Sequence, residues 1–121
     1  MSMREAVEGY YADWSRGDLD GALARCTEDV VAVMGPAFTF TGKADIRKFL
    51  EKFGRGMSNV HYDIKNALEQ DNIVMLEGEE NYTKNDRDVS VPFMAIFFFR
   101  DGKICESRDY FDLETVKKQL A

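Results

Sequence analysis

Two carboxylates are candidates for chemistry, because the alternation of their strands points them toward apolar neighbours. In the last predicted strand the inward positions are Cys105, Ser107, Asp109, Phe111 and Leu113. In the strand of residues 72–84 the more apolar face includes Glu80, beside Gly78. Burial disfavours the charged form of a carboxyl group, and a second carboxylate close by raises one pKa further. We therefore predict Asp109 and Glu80 as catalytic residues that could exchange a proton near neutral pH or bind a hydroxyl or amine.

A purely structural role for these two carboxylates stays open at this point. Either could be satisfied by hydrogen bonds from neighbouring side chains or backbone groups and have no part in a reaction. A one-residue bulge in its strand would also turn Glu80 outward.

The remaining chemistry-bearing residues form no recognisable motif. His61, the only histidine, shares a strand face with Asp63 and Lys65 and is expected to point away from the core. Cys26 and Cys105 lie on different predicted elements, and we expect no disulfide between them. One histidine, two separated cysteines and scattered acids do not supply a usual zinc site. Glycine-rich phosphate or dinucleotide motifs are absent, so we predict no metal and no cofactor.

Apolar side chains from several elements would surround Asp109 if it lies at the floor of a pocket. The predicted ligand-binding residues are Trp14, Met34, Phe49, Phe53, Tyr62, Leu76, Phe93 and Phe111. Helical spacing places Tyr10, Tyr11 and Trp14 mostly in the core, although the more C-terminal of them could line one wall.

Composition limits the classes of partner. With 121 residues the chain fits a single domain over residues 1–121, and its net charge of −6 disfavours nucleic acid and anionic membranes. No segment has the pattern of a signal peptide or the length of a membrane span. We therefore expect a cytoplasmic protein.

The pattern of the N-terminal half predicts three helices and an extended stretch between the second and the third. Residues 3–14 carry an apolar stripe at helical spacing, begun by a capping box of Ser2 and Glu5. Asp18 starts a second helix with Leu19, Ala22, Leu23 and Cys26 on one face. An extended stretch over residues 30–34 breaks at Gly35-Pro36, and a third helix follows Gly42.

The pattern of the C-terminal half predicts a meander of four strands, at about residues 58–68, 72–84, 88–100 and 103–113. The predicted turns are Gln70-Asp71, Asn85-Asp86 and Asp101-Gly102. In the first strand Val60, Tyr62, Ile64 and Leu68 should share the inner face. The third strand is apolar on both faces, so we expect its outer face to pack against a second copy of the chain, giving a homodimer through the sheet. Residues 114–120 fit a short helix or a frayed tail.

The element order, the Gly-Pro break followed by Gly42, and the ending FRDGKICESRDYFDL together resemble a known family. The chain resembles the SnoaL-like branch of the nuclear transport factor 2-like superfamily, and its last segment is most similar to limonene epoxide hydrolase relatives. This resemblance implies an α+β fold of the cystatin-like roll type, in which a curved antiparallel meander wraps three helices around a conical pocket. It also implies, commonly, a homodimer.

The same resemblance argues against epoxide hydrolysis. The tyrosine and asparagine that hold the attacking water in those hydrolases fall on Ala32 and Met34, and their Arg and second aspartate fall on Gly78 and Glu80. Only the final aspartate is kept, as Asp109. Ketosteroid isomerases of this fold place a base where this chain has Met34, so that base is absent too.

Two functional hypotheses follow. In the first, a small hydrophobic molecule binds the pocket, and any reaction is a proton transfer of the isomerase, cyclase or hydrolase type with Asp109 as base and Glu80 or Tyr62 as acid. In the second, the protein is a non-catalytic dimeric association module. A cavity that reaches Asp109 would favour the first hypothesis.

Overall fold

The first two helices form where the sequence supplies both apolar stripes and caps. In this computed structural model, which describes residues 2–35 and 37–121, α1 spans Met3–Ser15 and α2 spans Leu19–Ala24. The Ser2 hydroxyl accepts from the Glu5 amide at 3.1 Å, and the Glu5 carboxylate accepts from the Ser2 amide at 3.0 Å. This is the predicted capping box. The Asp18 carboxylate caps α2 by accepting from the Gly21 amide at 2.9 Å.

The other two helices precede and follow the four-strand meander in the chain. Helix α3 spans Lys43–Phe53 and buries Ile46 and Leu50. Helix α4 spans Leu113–Leu120, so residues 114–120 form a helix and not a frayed tail. The Asp112 carboxylate caps α4 by accepting from the Glu114 amide at 3.2 Å.

Six strands form one sheet with the order β2-β1-β6-β5-β4-β3. The strands are β1 (Cys26–Met34), β2 (Phe38–Thr41), β3 (Met57–Gln70), β4 (Ile73–Lys84), β5 (Arg87–Arg100) and β6 (Lys103–Phe111). Strands β3 to β6 form the predicted antiparallel meander, and β1 joins it by parallel pairing with β6. The α+β prediction is confirmed, with a fourth helix beyond the three expected.

Tight turns connect the meander. Both residues of Asn85-Asp86 and of Asp101-Gly102 have positive φ angles, as a type I′ turn requires. The first turn is centred on Asp71-Asn72, one residue later than predicted. Pro36, in the predicted Gly35-Pro36 break, lies outside the described residues.

Two bulges change which side chains face inward. Lys65 is an extra residue between the pairs Ile64 with Gly78 and Asn66 with Glu77, so Ala67 turns inward and Leu68 is 76% exposed. Cys105 is the extra residue where β6 pairs with β5, so Ile104 is buried in its place. The predicted inward positions of Leu68 and Cys105 are therefore wrong, because strand parity shifts at each bulge.

Cys26 was expected on the apolar face of the second helix, but that helix ends at Ala24. Cys26 instead begins β1 and is buried in the core, and both it and Cys105 are free thiols. His61 is exposed, as predicted. Among the described residues, no helix is long and apolar enough to cross a membrane.

The core lies between the helices and the inner face of the sheet. Buried residues of α1 and α3 pack there against alternate residues of β5, among them Phe93, Ala95 and Phe97. A second, smaller cluster joins Val116 of α4 to Tyr82 on β4 and to Val89 and Val91 on β5. Between these two clusters the packing leaves a cavity.

Candidate functional site

A cavity of about 310 Å³ separates the inner face of the sheet from α1, α3 and α4. Its volume falls at the lower end of the usual range for small-molecule sites. It is lined by Tyr10, Tyr11, Trp14, Met34, Phe38, Phe49, Leu50, Phe53, Tyr62, Glu80, Tyr82, Val91, Phe93, Asp109, Phe111, Leu113 and Val116. Most of this wall is aromatic or aliphatic, and the two carboxyl groups are its acidic members.

The structure brings most of the predicted site residues together. Asp109 and Glu80 both line the cavity, as do Trp14, Met34, Phe49, Phe53, Tyr62, Phe93 and Phe111. Leu76 does not line it. That side chain is buried further along β4, in the part of the core that α1 covers, so its predicted contact with a ligand is not supported by its position.

Eight lining residues were missing from the predicted ligand-binding set. They are Tyr10, Tyr11, Phe38, Leu50, Tyr82, Val91, Leu113 and Val116. Strand parity could have supplied Tyr82 and Val91, since they share faces with Glu80 and Phe93. Val116 could not have been predicted in this way, because it reaches the cavity only when α4 packs against β5, and no local pattern indicates that packing.

Asp109 occupies the centre of the sheet. Its β6 position pairs with Met34 of β1 on one side and with Ala95 of β5 on the other, and its carbonyl accepts from the Gly35 amide at 2.8 Å. Burial raises the pKa of its carboxyl to about 7, and the negative charge of Glu80 adds to that rise. Within residues 2–35 and 37–121, no group donates a hydrogen bond to this carboxylate.

Glu80 faces the cavity from β4, where it pairs with Tyr62 of β3 and Val91 of β5. Burial raises its pKa to about 7, and a hydrogen bond from Tyr62 opposes part of the rise. The pairing of β4 with β5 is regular along its whole length, so no bulge turns Glu80 outward.

The two carboxyl groups approach the cavity from different parts of the sheet. Their partners on β5 are Ala95 and Val91, which are four residues and therefore about 13 Å apart along the strand. No hydrogen bond joins the two carboxyl groups in the described part of the chain. Each is therefore a separate proton site, and they influence each other through charge and not through a shared proton.

Tyr11 places an unsatisfied hydroxyl in this apolar setting. The residue is 7% exposed, its ring stacks on that of Tyr62 with centroids 4.3 Å apart, and its hydroxyl has no hydrogen-bond partner among the described residues. Burial holds the pKa of Tyr11 well above its usual value, with further increases from the charges of Asp109, Tyr10 and Glu80. Tyr11 is therefore a neutral donor near Asp109 with nothing to donate to.

Three positions that align with site residues of the epoxide hydrolases carry no side chain that could hold a water molecule. Ala32 is buried in β1, and Met34 presents a thioether to the cavity beside Asp109. A side chain at Gly78 would overlap the carbonyl oxygen of Asp63 on the neighbouring strand, so this position has no room for one. An attacking water needs two or more fixed polar partners, and these three positions offer none from their side chains.

Similar proteins support the fold. A structure described as a proposed polyketide cyclase from Xanthomonas campestris superposes with a TM-score of 0.87 at 24% identity, covering 98% of this chain and 96% of that one. A nuclear transport factor 2-like protein of unknown function from Burkholderia pseudomallei gives a TM-score of 0.88 at 20% identity, covering 100% and 99%. A limonene epoxide hydrolase-like enzyme from Mycobacterium tuberculosis gives a TM-score of 0.83 at 22% identity, covering 96% of this chain and 86% of that one.

At these identities the similarity establishes the fold and not the activity. A search of curated proteins finds no match to the chain. The sequence profile of the SnoaL-like domain matches residues 7–107, which is most of the chain. The resemblance noted in the sequence is thus confirmed, and the chain belongs to the SnoaL-like domain family.

Proposed function

We propose that this protein binds a small, largely apolar carbonyl compound in its cavity and catalyses proton transfer on it, as an isomerase or cyclase. The observation that carries the proposal is the position of Asp109 in an apolar cavity, with a pKa near 7 and an unpartnered tyrosine hydroxyl close by. A base works best when its pKa lies near the operating pH, and Asp109 meets this condition.

The proposed reaction begins with Asp109 ionised. Its carboxylate removes a proton from a carbon next to the ligand carbonyl, and the electron pair of the broken C–H bond moves onto the carbonyl oxygen as an enolate. The Tyr11 hydroxyl donates a hydrogen bond to that oxygen without losing its own proton, since its pKa is well above 10.

The protonated Asp109 then completes the reaction in one of two ways. In an isomerisation the ligand carries a C=C bond at the β,γ position, so the enolate extends over it as a dienolate. Asp109 then returns the proton to the γ-carbon, and the double bond moves into conjugation with the carbonyl. In a cyclisation the enolate carbon attacks a second carbonyl of the ligand, and Asp109 protonates the resulting oxygen. Glu80, hydrogen-bonded to Tyr62, is the second group able to supply or accept a proton at neutral pH.

Deuterium exchange tests Asp109 as the base. A panel of cyclic hydrophobic ketones is incubated with the protein in D₂O, and NMR follows the loss of hydrogen beside the carbonyl. We expect catalysed exchange with at least one ketone, a rate that rises with pH through about 7, and a loss of about 100-fold or more in Asp109→Asn.

The matched control for that variant is Asp63→Asn, which removes an exposed carboxylate on β3 and should leave exchange unchanged. Tyr11→Phe should slow exchange about 10- to 1000-fold while leaving the fold intact, because it removes a donor that has no partner in the free protein. Exchange that persists undiminished in Asp109→Asn would exclude Asp109 as the base.

The association-module hypothesis is the second candidate. The observation in its favour is the outer face of the sheet, where Leu68, Met75, Met94 and Tyr110 are exposed. We infer that this face forms the contact of a homodimer. An open cavity that reaches Asp109 weighs against association as the sole function, because a module of that kind needs no such space. We further infer that the protein works in the cytoplasm, with both thiols reduced.

A further inference from the structure

A second depression lies directly beside the cavity and differs from it in charge. Its wall is formed by Phe40, Phe49 and Phe53, with Lys48, Lys52 and Lys84 around them, and we refer to it as the lysine groove. Phe38, Phe49 and Phe53 line both the lysine groove and the cavity. The two spaces are therefore adjacent and share part of one wall.

Stacked aromatic rings lie at the boundary between the two spaces. The Phe40 and Phe49 rings stack with centroids 4.4 Å apart, and Phe49 stacks on Phe53 at 5.6 Å with nearly parallel planes. A flat apolar ligand can lie along such a row of rings with little loss of conformational entropy, because the rings are already held in place.

The three lysines of the lysine groove differ in how they are held. Lys84 donates to the carbonyls of Phe53 and Arg55, and its ammonium lies 5.1 Å from the Phe53 ring centroid. Lys48 and Lys52 are exposed one turn apart on α3, and neither forms a salt bridge within the described residues. Two ammonium groups at the rim thus remain available to a ligand.

The carboxylate in the lysine groove, that of Asp45, forms no salt bridge with these lysines among the described residues. Asp45 accepts a hydrogen bond from the Thr41 amide at 3.1 Å, in the first turn of α3. Three positive groups and one negative group therefore line the lysine groove, in a chain whose net charge is −6. A local excess of positive charge on an acidic protein favours an anionic ligand at that point.

We propose that the ligand is an amphiphilic anion, with an apolar ring system that enters the cavity and a carboxylate or similar anionic group that stays at the rim against Lys48 and Lys52. The inference rests on the proposed function and narrows its substrate class to carbonyl compounds that carry an acidic end. The anionic group would also fix the direction in which the ligand enters, since the acidic lining near Asp109 and Glu80 repels it.

A matched pair of fluorescent probes tests this proposal. The first, 8-anilinonaphthalene-1-sulfonate, carries an anionic group, and N-phenyl-1-naphthylamine has the same rings without it. We expect the sulfonate to bind more tightly and its affinity to fall with added salt, because exposed charges are screened. In the double variant Lys48→Gln/Lys52→Gln, the sulfonate should lose about five-fold in affinity while the neutral probe is unchanged.

The control is Lys65→Gln/Lys103→Gln, which makes the same change in net charge at exposed positions outside both the cavity and the lysine groove. It should leave the binding of both probes unchanged. Circular dichroism checks that each variant is folded.

The outcomes separate this inference from the proposed function. Neutral-probe binding with no preference for the sulfonate, or an equal loss in both double variants, overturns the anionic ligand and leaves the apolar cavity standing. Failure of both probes to bind removes both proposals. Sulfonate binding that depends on Lys48 and Lys52, without neutral-probe binding, keeps the anion site and removes the apolar ring from the ligand.

Discussion

At the scale of single residues, the unusual feature is a carboxyl group that costs the protein stability when it ionises. The unfolded chain releases the proton of Asp109 near pH 3.8, whereas the folded chain holds it to about pH 7. Folding shifts the pKa of Glu80 in the same direction, from 4.5 to about 7. Between these pH values the folded state binds more protons than the unfolded state, so stability falls as pH rises.

This linkage predicts how Asp109→Asn should affect stability. The variant cannot ionise at position 109, so its free energy of unfolding relative to wild type should increase between pH 5 and pH 8 by at least about 1 kcal/mol. Urea denaturation at the two pH values measures this change, and Asp63→Asn at an exposed site is the control. A constant difference at both pH values would mean that Asp109 has an ordinary pKa.

At the scale of secondary-structure elements, local sequence patterns predicted the helices well because their signals are short in range. The capping box of Ser2 and Glu5 and the Asp18 cap lie within a few residues of the helices they begin. Which side chains of a strand face inward could be predicted only as far as the bulge in that strand. Whether Lys65 or Cys105 becomes the extra residue depends on register with a partner strand, which the composition of one strand does not determine.

The close approach of β3 to β4 at Gly78 gives a prediction at this scale. A Cβ at position 78 would overlap the Asp63 carbonyl, so Gly78→Ala should lower the free energy of unfolding by about 2 kcal/mol. Ser58→Ala is the control, because it changes an exposed side chain on β3 and adds no atom at the contact between β3 and β4. Equal stability of the two variants in urea would show that β3 can shift to make room.

At the scale of the whole molecule, the candidate site depends on contacts that join distant parts of the chain. The parallel pairing of β1 with β6 places Met34 beside Asp109, and helix α4 closes the cavity with Leu113 and Val116. The family resemblance indicated where Asp109 would lie. It did not indicate the unpartnered hydroxyl of Tyr11, because helical spacing alone assigns that residue to the core.

The exposed outer face of the sheet predicts self-association. Met75 on β4 and Met94 on β5 are about half exposed, and the flanking strands β3 and β6 present Leu68 and Tyr110 on the same face. We expect a dimer in sedimentation equilibrium at micromolar concentration, and a monomer for Met75→Glu/Met94→Glu, since buried unpaired charges oppose association. Ala12→Glu/Ala44→Glu adds the same charge on exposed helix surfaces and should remain dimeric. A monomeric wild type would contradict the expectation.

Helix α4 gives the site a kinetic property that the rest of its wall does not share. Apart from packing, α4 is tied to β5 by two hydrogen bonds between Gln119 and the Ser90 backbone, at 2.7 and 3.0 Å. An eight-residue helix held in this way can detach while every strand stays paired, since short peripheral elements open locally at low free-energy cost. Each such opening would remove Leu113 and Val116 from the cavity wall, so it gives a bound molecule a second way out while the sheet stays paired.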